Sequence, residues 1–296
     1  MERATVHVAA ALATLLLAAP AAQAQTVHLR GTTRTATVSL SPGATKRVFV
    51  ECPQQRGHKQ DVALSGTSAP PSAVDLRSSV PGSRRWAFRF HNDGTATHRA
   101  KAIVRCLRVP FPTGIRRIAY RFSRRARDVN LSPGEVRSVP VVCPNGFAPS
   151  GYGFRRVSGR LRFYGVVQSA TDVRFGLQEV GGANASVRLF IRCVARRGLA
   201  RTRGGTRLAF RIRITRRSFT DAIPTIRGLV RHRCFRGDSS LSPGFRHTPV
   251  GPLALLGQRV AGHRSARWLF FNTAPVPLPV RTYLLCLDGQ SVLRSL

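Results

Sequence analysis

The stretch Val129–Phe154, VNLSPGEVRSVPVVCPNGFAPSGYGF, recurs in part twice more at a fixed distance. Cys143 stands 91 residues after Cys52 and 91 before Cys234, a period of one small domain. LSPG lies upstream of Cys52 at Leu40–Gly43 and upstream of Cys143 at Leu131–Gly134; the third copy keeps only Pro224 there. A further LSPG, Leu241–Gly244, follows its cysteine. Its counterpart is the loop after Cys143, because Cys143 to Gly153-Phe154 and Cys234 to Gly244-Phe245 span the same distance, with Gly146 and Gly237 in register. The first copy, from Cys52, lacks the Gly-Phe pair. VHLR at Val27, IAYR at Ile118 and LAFR at Leu208 match as strands, and a second cysteine closes each copy: Cys106, Cys193 and Cys286. Trp86 and Val173 precede theirs by twenty residues and Trp268 by eighteen.

Residues 1–24 read as a secretory signal peptide, with Arg3, an apolar run from Val8 to Ala19, and Ala22-Gln23-Ala24 as a cleavage site. That run is too short to span a bilayer comfortably and the rest has no long apolar run, so no transmembrane segment is expected after cleavage. The expected location is secreted: extracellular, or associated with the cell wall or periplasm. Export means an oxidising compartment, where an even cysteine count at regular spacing reads as disulfides. The repeat selects one pairing: Cys52 with Cys106, Cys143 with Cys193, Cys234 with Cys286. In the chain-entropy picture each such bridge removes roughly 4 kcal/mol of unfolded-state freedom.

Period-two alternation with β-branched and aromatic residues dominates the rest, and helical periodicity is absent. Val48, Val50 and Cys52 share one strand face, as do Trp86, Phe88 and Phe90, and Ala102, Val104 and Cys106. Val139, Val141 and Cys143 repeat the pattern, with Val187, Leu189, Ile191 and Cys193 facing them. The fold class is therefore all-β: three tandem antiparallel β-sandwiches with one disulfide each, over residues 25–114, 115–205 and 206–296. Ser-Pro-Gly and Asn92-Asp93-Gly94 supply turns, and Gly181-Gly182 stands in for the latter in the second copy. The linkers are LRVPFPTG, ending at Gly114, and VARRGLARTRGG, ending at Gly205, short enough to set the domains in a row.

Cys143-Pro144-Asn145-Gly146, Gly151-Tyr152-Gly153-Phe154 and Cys193 together resemble the Ig-like repeats of uncharacterised exported actinobacterial proteins. That resemblance implies a fold and no activity. It departs from antibody-type domains, whose core Trp lies soon after the first cysteine, whereas Trp86 and Trp268 lie nearer the second.

Catalysis needs paired carboxylates, or a nucleophile with a base, in one recurring place. Asp61, Asp75, Asp93, Asp128, Glu135, Asp172 and Asp288 stand alone, and no acid recurs in all three copies, so we expect no catalytic residue, no metal and no cofactor. His91 and His98 lie near each other, and His58 is in a loop. His232, on the inward alternation two before Cys234, reads as a hydrogen-bonded core or edge histidine. Arg236-Gly237-Asp238 matches an integrin-type tripeptide, but Gly237 is explained by the turn that it shares with Gly146.

The charge is +36 from 48 basic and 12 acidic residues, a field that attracts polyanions. Arg116, Arg117, Arg121, Arg124, Arg125 and Arg127 crowd one predicted strand. Arg196, Arg197, Arg201, Arg203, Arg207, Arg211, Arg213, Arg216 and Arg217 crowd the second linker and the next strand. Leu208, Phe210, Ile212 and Ile214 alternate with Arg207, Arg211 and Arg213, which places those arginines outward in a stripe. Planar guanidinium forks suit phosphate and carboxylate. With no recognition helix or aromatic platform, a specific nucleic-acid partner is not expected. The expected partner is an anionic polymer of the cell envelope or the extracellular space. The alternatives are a structural or adhesive spacer meeting a protein partner, with charge that reflects composition and solubility, and an enzyme or inhibitor, which a cleft holding two acids would bring back.

Overall fold

The computed structural model describes residues 25–53, 62–71, 73–249 and 251–296, so the signal-peptide segment, His58 and Asp61 lie outside the described residues. The described chain is built of strands and turns without helix. The first copy forms β1 (Thr26–His28), β2 (Arg30–Leu40), β3 (Thr45–Glu51), β4 (Val62–Ala69), β5 (Val74–Pro81), β6 (Arg85–Asn92) and β7 (His98–Arg108). The second forms β8 (Ile115–Ala119), β9 (Phe122–Leu131), β10 (Val136–Val142), β11 (Phe147–Ser158), β12 (Leu161–Gln168), β13 (Asp172–Glu179), β14 (Ala185–Ala195) and β15 (Arg197–Thr202). The third forms β16 (Arg207–Arg211), β17 (Ile214–Ile223), β18 (Ile226–Arg233), β19 (Ser239–Arg246), β20 (Leu253–Ala261), β21 (Ser265–Asn272), β22 (Leu278–Leu287), β23 (Gln290–Val292) and β24 (Arg294–Ser295).

Each copy contributes three strands to each of two antiparallel sheets. In the second copy these run β9-β14-β11 and β12-β13-β10. The inward residues are those the alternation marks: Trp86, Phe88, Phe90, Leu189 and Ile191 are fully buried. The three disulfides are Cys52–Cys106, Cys143–Cys193 and Cys234–Cys286, the pairing that the repeat selects.

The copies do not stand in a row. Each six-stranded sheet joins half of one copy to half of the next: β3-β6-β5-β11-β14-β9, β10-β13-β12-β19-β22-β17, and β18-β21-β20-β4-β7-β2. First joins second, second joins third and third joins first, so the chain closes into a ring with approximate threefold repetition. The junctions are short pairings, Phe154 with Ser79, Val166 with Phe245, and Gln258 with Ser68. The Gly-Phe pair is what lets the first two form. A Cβ on Gly153 would lie 1.9 Å from the Ser79 carbonyl oxygen, and one on Gly244 would lie 2.5 Å from that of Val166. The first copy has Thr67-Ser68 at this place, and the Thr67 hydroxyl instead accepts from the Val260 N–H at 3.5 Å.

Around the ring axis the bulges of β4, β11 and β19 meet. The Ser65 hydroxyl donates to the Leu241 carbonyl at 2.5 Å, Ser150 donates to that of Leu64 at 2.9 Å, and the Tyr152 hydroxyl donates to that of Pro243 at 2.7 Å. Thus Leu241–Gly244 is a junction bulge, not a turn, despite sharing its letters with the two turn LSPGs. Two buried arginines also tie the ring. Arg105, 1% exposed, donates across to Thr33, Ser240 and the carbonyls of Gly262 and His263. Arg192 donates to the Ser83 carbonyl at 3.1 Å. Desolvation lowers both guanidinium pKa values to about 10, which leaves them cationic at neutral pH.

Register also re-aligns the tryptophans. Trp86 and Ala266 pair with Val50 and His232, each two residues before its first cysteine, whereas Trp268 occupies the place of Phe88 and Phe175. Trp86 has room because Gly66 faces it, where a Cβ would lie 2.5 Å from the indole. The smaller Ala266 leaves room for His232, which stacks on Phe219 with ring centroids 3.7 Å apart and bonds the Asp221 carboxylate at 2.9 Å. His232 is therefore a hydrogen-bonded histidine between sheets.

Candidate anion-binding face

The first linker runs as loop and turn from Val109 to Gly114, whereas the second departs from the expectation. VARRGLARTRGG is itself a strand, β15, which turns through Arg203–Thr206 into β16; Gly205 takes φ 89° there, and the Thr202 hydroxyl accepts from the Thr206 N–H at 3.0 Å. These two strands, with β8 and β24, form a four-stranded cap in the order β24-β16-β15-β8. Its inner face carries Ile118, Ala200, Leu208 and Phe210, packed on a cluster that includes Leu64, Val194, Leu241, Leu285 and Leu287. All three copies contribute to that cluster, so the cap seals one end of the ring.

Alternation puts Arg117, Arg197, Arg201, Arg207, Arg211 and Arg294 on the outer face, all exposed. Arg117, Arg201 and Arg207 stand directly opposite one another across three adjacent strands, and Arg197 stands opposite Arg211. Like charges placed so are destabilising in the absence of a counter-charge. Among the described residues none of the six takes part in an ion pair. The two arginine rows are four residues apart along the strands, roughly 13 Å. Ala119, Leu199 and Ala209 form the floor between them, with Leu199 49% exposed. At the margin, an open hollow of about 940 Å³ is lined by Arg196, Arg197, Arg211, Arg213 and Arg294, with Asp288 as its one carboxylate.

The structure therefore gathers some of the predicted basic residues and scatters others. The strand expected to hold Arg116 to Arg127 is broken at Tyr120-Arg121: Arg116 and Arg117 lie in β8, whereas Arg124, Arg125 and Arg127 lie in β9, an edge strand of a different sheet. Arg124 and Arg127 donate to the Pro81 and Pro140 carbonyls. Arg203 sits in the cap hairpin turn. Arg216 and Arg217 lie in β17, the edge of a third sheet, bonded to the carbonyls of Gln168 and Arg233. Edge charges there guard against strand addition. Arg294 joins the cap through the pairing of β16 with β24, a contact between distant segments that no local pattern signals.

The acids are engaged elsewhere. Asp75 pairs with Arg156 and Arg77, Asp128 with Arg188, Glu135 with Arg137, and Asp93 with His91 and Arg77. Two acids do share a hollow, Asp238 and Asp288, beside His263 and Arg105. Burial and the nearby Asp288 raise the Asp238 carboxyl above its ordinary range, while burial and Arg105 hold His263 below its own. His263 bonds the Ser239 hydroxyl at 3.2 Å and the Gly31 carbonyl at 3.1 Å, but Ser239 is fully buried and its hydroxyl accepts from the Gly31 N–H. This group reads as a tie between first and third copies. The Arg236-Gly237-Asp238 turn, with Gly237 at φ 93°, packs its backbone against Gly289. Among the described residues no three His, Cys, Asp or Glu side chains converge as metal ligands would.

A further recurring position is hidden in the sequence because its chemistry changes from copy to copy. Fourteen residues before each second cysteine stands a buried polar residue: Asn92, Glu179 or Asn272. Asn92 and Asn272 each donate to two carbonyls, whereas the Glu179 carboxylate accepts from the N–H groups of Gly134, Gly181 and Gly182. Those bonds lower its pKa below the usual carboxylate range. No protein-family model matches the chain, and no curated protein is similar to it.

Proposed function

We propose that the chain is an exported, non-catalytic protein that binds an anionic polymer of the envelope or extracellular space on the outer face of its cap. The observation that carries this is the row Arg117–Arg201–Arg207, three cations in register with no acid facing them. Arginines lie on every six-stranded sheet, so total charge selects no face; the cap is distinguished by a second row in register, Arg197–Arg211, across the Leu199 floor. An anionic chain laid across the cap meets two cationic rows and relieves their mutual repulsion. Three disulfides suit an oxidising compartment, and no described helix is long and apolar enough to cross a membrane. The strand order of each copy, first-sixth-third facing fourth-fifth-second with a disulfide from the end of the second strand to the sixth, supports an Ig-like ancestry. Ring closure weighs against a spacer, because a spacer gains reach only if its copies are set end to end.

The test is binding to phosphate-bearing and uronic polymers across a salt series. The variant Arg117→Ser/Arg201→Ser/Arg207→Ser is compared with a dispersed, charge-matched variant, Arg89→Ser/Arg125→Ser/Arg174→Ser. Loss of contacts in the cap variant alone, with a salt slope shallower by about one per arginine, supports the reading. Equal losses in both variants reduce the charge to bulk attraction and refute it.

A further inference from the structure

The internal repetition supplies a control that composition alone does not, and one face fails to repeat. On the outer side of β3-β6-β5, β10-β13-β12 and β18-β21-β20, residues stand in rows across three paired strands. The row three residues before the first cysteine reads Phe49–Ala87–Val80 in the first copy and Pro140–Arg174–Val167 in the second. In the third it reads Arg231–Arg267–Arg259. The neighbouring row reads Arg47–Arg89–Ser78, then Ser138–Gly176–Gly165, then Leu229–Leu269–Gly257. Only the third copy sets a full arginine row beside an apolar one. An Arg-rich composition would spread cations over all three.

Both rows cost stability as they stand. Three like charges in register repel, and Leu229 is 65% exposed with Leu269 and Phe271 partly so. The small hollows along the face, of about 340 and 290 Å³, are lined by Lys101 and the three arginines on one side and by Leu229, Leu256 and Leu269 on the other. No carboxylate lines either. A partner that relieves both costs must offer anions and an apolar phase about 7 Å apart, two residues along a strand. A hydrophilic polymer supplies the anions only. A bilayer supplies both, with headgroup phosphates for guanidinium forks and the acyl boundary for leucine.

We propose that the outer face of β18-β21-β20 docks on an anionic lipid surface. The row Arg231–Arg267–Arg259 engages phosphates, and Leu229 and Leu269 enter the acyl boundary. This face is separate from the cap, so the two readings stand or fall independently.

The test is cosedimentation of the oxidised protein with vesicles of phosphatidylcholine alone and of an equimolar mixture with phosphatidylglycerol. Wild type should bind the mixture and not the neutral vesicles. Arg231→Ser/Arg259→Ser/Arg267→Ser should weaken binding about a hundredfold, because an arginine at an anionic surface contributes about 1 kcal/mol. The cap variant, with the same loss of charge, should bind nearly as wild type does. Leu229→Ser/Leu269→Ser keeps the charge and should weaken vesicle binding about a hundredfold, since each leucine side chain contributes about 1.5 kcal/mol on burial, without changing polymer binding. All substituted positions are on the outer face, and denaturation midpoints that do not fall below wild type would confirm intact folds. Equal losses from the row and cap variants would overturn the proposal in favour of bulk attraction. Wild-type vesicle binding by the leucine variant would overturn it in favour of a soluble anion.

Discussion

Gly153→Ala tests whether the three copies close into a ring. The added Cβ would lie 1.9 Å from the Ser79 carbonyl oxygen, and backbone, unlike a long side chain, cannot swing aside. An ordinary carbon–oxygen contact needs about 1.4 Å more, so β11 must part from β5 and the pairs Phe154–Ser79 and Arg155–Ser78 must loosen. Overpacking of this kind costs about 1–3 kcal/mol and each loosened backbone bond about 1, a sum of roughly 3 kcal/mol. At about 2 °C per kcal/mol for a chain of this size, the melting midpoint should fall by about 6 °C. Gly257→Ala is the control: its Cβ would meet nothing within 4 Å, and its effect should stay within about 0.5 kcal/mol. Urea unfolding followed by tryptophan fluorescence reads both, since Trp86 and Trp268 are fully buried. If Gly153→Ala unfolds at the wild-type midpoint, the junction does not form as described, and the copies stand as separate units.

Two further outcomes follow from single positions. Thr225 stands where the other copies have Gly43 and Gly134 at φ 69° and 70°, so the third copy cannot make the same turn; the positive φ moves to Ile226, at 77°, and the Arg227 N–H bonds the Thr225 carbonyl at 3.1 Å. Ile226→Gly should raise stability by about 1 kcal/mol in thermal unfolding, and a loss would refute the strain. Glu179 has a lowered folded-state pKa, so its contribution is fully present above the ordinary carboxylate range and is lost as pH falls through the folded value. Glu179→Gln should therefore lower the urea midpoint at neutral pH and converge with wild type in acid; a gap that persists into strong acid would sink the assignment.

Much of the fold was legible because it is local. Alternation marks Trp86, Phe88, Phe90, Leu189 and Ile191 as inward, and a 91-residue period selects three disulfides from the six cysteines. The stripe of Arg207, Arg211 and Arg213 is legible only in part: all three are exposed, but β16 ends at Arg211, and Arg213 lies where the chain leaves the cap for β17 in another sheet. The break at Tyr120-Arg121 was not legible, because Ile118, Tyr120 and Phe122 continue one alternation while the chain passes from one sheet to another. The two-residue offset of Trp268 from Trp86 shows in their spacing to the second cysteine, but that Ala266 takes Trp86's place opposite His232 was not legible, since either register preserves the apolar pattern.

By itself the sequence determined strand faces, turns, covalent pairing and the basic segments, since each depends on residues near one another in the chain or on the period. Only the tertiary structure decided that halves of neighbouring copies share sheets, that a linker is a cap strand, and that Arg294 joins Arg117, Arg201 and Arg207. Those outcomes depend on which strand edge meets which, a choice made by close backbone approach at Gly153 and Gly244 and by burial of the cluster around Leu64, Leu241 and Leu285. Side-chain period cannot encode that choice, because every edge strand offers the same backbone donors and acceptors.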